Sequence, residues 1–120
     1  MRLCLKTPHV LAALRYSLDG FCTAWKDEIA FRQVVTEAAF LVPLAFLLGE
    51  GWVERTLLIL PCFLCIMVEL LNSAIENTVD RISLERHPLS KKAKDLGSSA
   101  QMSAQIFLAF VWLSFMLGGE

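Results

Sequence analysis

Charge is scarce in this chain. Eleven Lys and Arg against 12 Asp and Glu make up 19% of 120 residues and leave a formal net charge of −1. Without a basic excess, the electrostatic footprint of bulk nucleic-acid binding is missing. Glycine is sparse as well, with 6 residues. None of them falls in a G-x-x-x-x-G-K-[ST] loop or a kinase-type glycine loop. The opening residues Met1-Arg2-Leu3-Cys4-Leu5-Lys6-Thr7-Pro8 lack the apolar core and small-residue cleavage site of a signal peptide. Of the four cysteines, Cys62 and Cys65 form a C-x-x-C. No histidine or second cysteine pair lies near them, so their place in an apolar run reads as packing and not as zinc or redox chemistry. No internal repeat or low-complexity stretch is present, and the length allows a single domain, residues 1–120.

Apolar residues are what the chain has in abundance, at 56%. A soluble domain of this size would struggle to bury so much apolar surface, whereas a bilayer solvates it directly. Residues 31–48 are interrupted only by Arg32 and Gln33 at the start and Glu37 one turn in. At about 1.5 Å per residue they reach ~27 Å, against a hydrocarbon core of ~30 Å. Gly49-Glu50-Gly51 predicts a turn, and Trp52 suits a membrane interface. A second span, 53–71, has no charge from Thr56 to Val68 and continues with helical periodicity to about residue 85. The third span, 95–117, lies in a stretch with no charged residue from Leu96 to Gly119. Pro43 and Pro61 fall inside the first two spans and predict local bends, which membrane helices tolerate. Upstream, residues 8–26 place Val10, Leu11, Leu14, Leu18, Phe21 and Trp25 at helical spacing, with Arg15, Asp19 and Thr23 between them. That pattern predicts an amphipathic helix at the membrane surface. The expected fold is an all-α membrane protein with one surface helix and three spans.

Arg2, Lys6, Arg15, Lys26 and Arg32 cluster before or at the opening of the first span. Arg81, Arg86, Lys91, Lys92 and Lys94 sit between the second and third, and Arg55 alone lies near the opposite side. The asymmetry predicts a cytoplasmic N-terminus and 80–95 loop, with the 49–55 turn and the C-terminus outside.

Along the second helix, Glu69, Asn72, Ser73, Glu76 and Asp80 share one narrow face at about 100° per residue. With Arg55 at the outer interface, Glu69 lies roughly 21 Å further along, inside the inner leaflet. An ionisable group at that depth reads as functional by default. Carboxylates of this kind suit magnesium, which takes one or two of them plus phosphate oxygens. Asp27-Glu28 offers another carboxylate at the same depth, and Lys94 and Ser98 share a face of the third helix. Phosphate chemistry, an ion path and pairing between helices all remain compatible with this spacing.

At these residues the sequence resembles a known family. Ala24-Trp25, Glu28-x-Ala30-Phe31-Arg32-Gln33, Glu69-x-x-Asn72-Ser73-Ala74-Ile75-Glu76-x-x-Val79-Asp80-Arg81, His87-x-Leu89-Ser90 and Ala93-Lys94-Asp95-x-Gly97-Ser98 together resemble the prokaryotic diacylglycerol kinases over nearly the whole length. The resemblance implies a homotrimer in the bacterial inner membrane, with sites shared between subunits, that phosphorylates diacylglycerol from ATP with Mg2+. It implies Glu69 as general base, Glu28 and Glu76 as magnesium ligands, and Asn72 and Asp80 in support. Contacts to ATP would come from His9, Tyr16, Glu28, Glu76, Glu85, Arg86, His87, Lys94 and Asp95. Lipid would meet Ser17, Trp25, Ala30, Phe31, Arg32, Gln33, Glu69 and Ser98. The chain departs from the family pattern where His9 replaces the usual arginine. Val34 replaces an acid, with Glu37 one turn on, and Gln101 and Gln105 stand on the face of Ser98, where interhelical hydrogen bonding accounts for them. Undecaprenol kinase shares the Glu-x-x-Asn and Ala-Lys-Asp motifs, and a small transporter or assembly subunit is the alternative from another class.

Overall fold

The computed structural model describes residues 7–118, so Arg2, Cys4 and Lys6 lie outside the described residues. Four helices follow one another: α1 (Thr7–Asp27), α2 (Ile29–Leu48), α3 (Gly51–Ile82) and α4 (Pro88–Gly118). The last three are long and apolar enough to cross a membrane.

The chain turns from α1 into α2 at a single residue. Glu28 is extended (φ −117°, ψ 110°), while its N–H still reaches the Ala24 carbonyl at 2.9 Å and its own carbonyl accepts from Arg32 at 3.2 Å. Backbone bonding therefore persists on both sides of the bend. Ala24 and Phe31 are buried beside it, with the Phe21 ring 6.4 Å from that of Phe31. The predicted apolar stripe of α1, from Val10 to Trp25, is otherwise exposed. Only the C-terminal end of α1 is tied to the bundle.

Between α2 and α3 the turn relies on Gly51, whose φ of +79° is the left-handed conformation that glycine adopts without strain. The Glu54 carboxylate accepts the Glu50 N–H at 2.8 Å, satisfying an open donor at the start of α3. Helices α2 and α3 continue through Pro43 and Pro61.

Helix α3 stops at Ile82, short of the expected residue 85, because Ser83 is extended (φ −169°, ψ 145°) and its hydroxyl accepts the Glu85 N–H at 3.0 Å. Such a local side-chain bond competes with the helix. Helix α4 begins at Pro88, so Lys91, Lys92, Lys94 and Asp95 lie in its opening turns, ahead of the span expected from residue 95. His87 Nδ1 accepts the Leu89 N–H at 3.0 Å, and proline is pre-organised for a first helical position. Its first two turns are too polar to carry a hydropathy signal.

The core runs along α3, which packs against both α2 and α4. Leu58, Cys62 and Cys65 of α3, Val34 and Ala45 of α2, and Ala104, Leu108 and Trp112 of α4 are buried. Cys62 and Cys65 are free thiols in this core, as expected of packing residues. The Trp112 indole N–H donates to the Leu58 carbonyl at 3.0 Å, and the Cys62 thiol shares that acceptor at 3.7 Å.

Candidate active site

Helices α3 and α4 run antiparallel in a register set by bonded and touching pairs. Leu58 meets Trp112, Cys65 and Glu69 meet Gln101, Asn72 meets Gly97 and Asp80 meets Lys94. The acidic face of α3 is thereby turned onto the polar side of α4, with Glu69 deep and Asp80 at the end of the bundle that carries the 83–87 loop.

Glu69 is 4% exposed. Its Oε1 accepts the Gln101 Nε2–H at 2.8 Å, while Oε2 has only a long contact, 3.5 Å, from the Ser73 hydroxyl. Gln101 also donates to the Cys65 carbonyl at 3.2 Å. Further along α4, Gln105 Nε2 donates to Glu37 of α2 at 3.2 Å and to Gln101 Oε1 at 3.5 Å. The amides that the sequence marks as departures from the family pattern therefore join three helices. Asn72 Oδ1 is buried without a hydrogen-bond partner and faces Gly97.

At the loop end, a cavity of about 670 Å³ is lined by Asp80, Glu85, Arg86, His87, Lys94 and Asp95 together with Val79, Ser83, Leu84, Pro88, Ser90 and Lys91. Six residues singled out from the sequence thus border one space. Lys94 pairs with Asp80 across the two helices at 2.8 Å, and Lys91 with Asp95 at 2.6 Å. Both lysines precede the apolar stretch of α4. The hydrogen bond that Lys94 donates to Asp80 holds its ammonium above the usual lysine range, and the bond that Lys91 donates to Asp95 does the same there. Ser90 and Lys91 were not among the sequence candidates; their position in the first turns of α4, facing the loop, was the available signal.

A second, shallower cavity of about 420 Å³ lies on α2, bordered by Ile29, Arg32, Gln33, Thr36, Glu37 and Phe40. Arg32 and Gln33 belong to the lipid set implied by the resemblance, and Glu37 is an addition that ties this groove to Gln105. Trp25, Ala30 and Ser98 are exposed, whereas Phe31 is 3% exposed and packs in the core. His9, Tyr16 and Ser17 lie on exposed turns of α1, and the Ser17 hydroxyl is bonded to its own helix at Ala13. Neither cavity includes these α1 residues.

Glu28 and Glu76 are both half-buried, and Glu28 makes no side-chain cap bond although it stands at the N-cap of α2. Among the described residues no group of three or more His, Cys, Asp or Glu gathers to hold a metal. A single chain therefore offers carboxylates singly or in pairs, a donor set that fits magnesium completed by phosphate oxygens.

The chain has clear relatives. The family model described as prokaryotic diacylglycerol kinase matches residues 15–116. The chain is 54% identical to the diacylglycerol kinase of Pseudomonas aeruginosa over 110 residues, covering 92% of this chain and 89% of that one. It is 52% identical to the diacylglycerol kinase of Helicobacter pylori strain J99, covering 91% and 85%. With that of Escherichia coli K12 the identity is 43%, covering 87% and 85%. Three membrane-length helices, a buried glutamate facing a polar helix side, and these relatives place the chain in the prokaryotic diacylglycerol kinase family.

Proposed function

We propose that this chain transfers the terminal phosphoryl group of ATP to the free hydroxyl of diacylglycerol, forming phosphatidic acid at the cytoplasmic face of the bacterial inner membrane. The observation that carries the reading is the vertical order on the α3–α4 face. Glu69 lies buried between α3 and α4, and Lys94 lies at the loop end on the cavity shared with Glu85, Arg86 and His87. A lipid hydroxyl rising from the bilayer and a polyphosphate arriving from water would meet between them.

Phosphoryl transfer asks a protein for positioning and charge neutralisation more than for covalent chemistry. Glu69 takes the proton of the lipid hydroxyl as the oxygen attacks. Lys94, swinging from Asp80, neutralises phosphate charge. Glu28 and Glu76 would hold Mg2+, which neutralises charge on the ATP phosphates when bound. Arg32 and Gln33, bordering the groove on α2, orient the glycerol end of the lipid while its acyl chains stay in the membrane. A homotrimer with sites shared between subunits accounts for two features of the single chain: the apolar stripe of α1 is uncovered, and no cluster of three acids is complete among the described residues.

The test is ADP release by purified protein in mixed micelles with Mg-ATP and diacylglycerol, undecaprenol or no added lipid. Release that depends on diacylglycerol, and that falls by about 10²- to 10⁴-fold in Glu69→Gln, is the expected result. Dependence on undecaprenol reassigns the lipid, and release without lipid rejects the reading.

A further inference from the structure

The Glu69 carboxylate is held asymmetrically. One oxygen, Oε1, receives a short hydrogen bond from Gln101 at 2.8 Å, and the other has only the 3.5 Å contact from Ser73. Gln101 spends both amide hydrogens on α3, on Glu69 and on the Cys65 carbonyl. Its own oxygen faces the Gln105 amide, which also donates to Glu37. The run Glu37–Gln105–Gln101–Glu69 thus ends in a carboxylate on each side. Carboxylates accept and amide NH2 groups donate, so the chemistry of the two ends dictates which way each amide points. Turning Gln101 over would set its oxygen against that of Glu69 and forfeit the bonds to Glu69, to Cys65 and from Gln105, in a span where water offers little replacement.

We propose that Gln101 is a positioning residue for the Glu69 carboxylate, itself oriented by Gln105 and Glu37, so that Oε2 is left as the oxygen that accepts the substrate proton. The inference rests on Glu69 being the general base. Misplacing a reacting group by about an ångström costs on the order of 10²-fold in rate. Gln101 bonds the Glu69 carboxylate and the Cys65 carbonyl, so its removal is expected to act on the chemical step through Glu69 and to change the binding of either substrate little. Gln105 reaches Glu69 only through Gln101, which makes its effect conditional on that residue.

The experiment compares Gln101→Met, Gln105→Met, the double variant and Glu69→Gln in mixed micelles with Mg-ATP and diacylglycerol, with melting temperature as a fold control. Methionine keeps length and volume but donates nothing. Gln101→Met is expected to lower kcat about tenfold or more, with KM for each substrate within about twofold. Gln105→Met is expected to lower kcat by less, and the double variant to match Gln101→Met alone, because the two act through one bond. Wild-type kcat in Gln101→Met beside an inactive Glu69→Gln overturns the positioning role and leaves the base assignment standing. Losses that multiply in the double variant, or a rise in KM equal to the fall in kcat, overturn it too, since they mark simple interhelical adhesion. Retention of more than a tenth of the rate in Glu69→Gln overturns the base assignment itself. If Gln101→Met does not fold, Gln105→Met decides alone: reduced kcat at unchanged KM supports the proposal, and unchanged kcat overturns it.

Discussion

Gly97 of α4 lies against the Asn72 side chain of α3, so close that a methyl group at Gly97 would overlap Asn72 Oδ1. This contact lets the two helices approach at the level between Glu69 and Glu76. Small residues at such crossings allow backbone proximity in membranes, where packing drives association in place of the hydrophobic effect.

Alanine at Gly97 must rotate Asn72 or push α4 away. Overpacking of this kind costs about 1–3 kcal/mol. We expect Gly97→Ala to lower both the melting temperature and the phosphorylation rate. Adding Asn72→Ala should restore melting by removing the overlap. Wild-type melting and rate in Gly97→Ala would show that the crossing has slack.

Trp112 tests the other end of the same interface. Trp112→Phe keeps a ring in the core but deletes the N–H that bonds the Leu58 carbonyl. Interhelical hydrogen bonds in membranes average about 0.6 kcal/mol, with a maximum near 1.7. A loss in that range by unfolding equilibrium, with kcat unchanged, is expected. A large fall in kcat would mean that Trp112 sets the position of α4 at the active site.

Lys94 and Asp80 should separate by function. Their pair is partly exposed, and exposed pairs contribute little to stability. Asp80→Asn and Lys94→Met should therefore melt like the wild type. Lys94→Met should raise KM for Mg-ATP by about tenfold or more, through loss of a charge-assisted phosphate contact. An unchanged Mg-ATP saturation curve removes Lys94 from the phosphate site.

Subunit sharing predicts complementation. Glu28 stands at the α1–α2 bend and Glu69 midway along α3, on segments that separate subunits could supply to one site. Glu28→Gln and Glu69→Gln, each expected to be impaired alone, should regain activity when unfolded together and reassembled. The yield should follow the mixing ratio. Mixed trimers that form and stay inactive would place both residues of a site on one chain.

The helices were legible because a membrane span satisfies its backbone hydrogen bonds within itself, so its signal is local. The acidic face from Glu69 to Asp80 was legible for a related reason: the helical period alone decides which side chains share a face. Helix ends were less so. Ser83 stops α3 through a bond to the Glu85 N–H, and His87 starts α4 through one to the Leu89 N–H. Both depend on two-residue geometry, which hydropathy does not register.

Periodicity and charge asymmetry in the sequence by themselves determined three apolar helices, a polar edge and a glutamate set among apolar residues beneath it. The sequence also marked Gln101 and Gln105 as amides needing partners across helices, but not which partners. Only the tertiary structure decided that Gln101 meets Glu69, that Gln105 meets Glu37 and that Lys94 pairs with Asp80. Each of these contacts depends on the register of one helix against another. Register follows from the packing of Gly97 on Asn72 and Trp112 on Leu58, which are contacts between residues far apart in the chain.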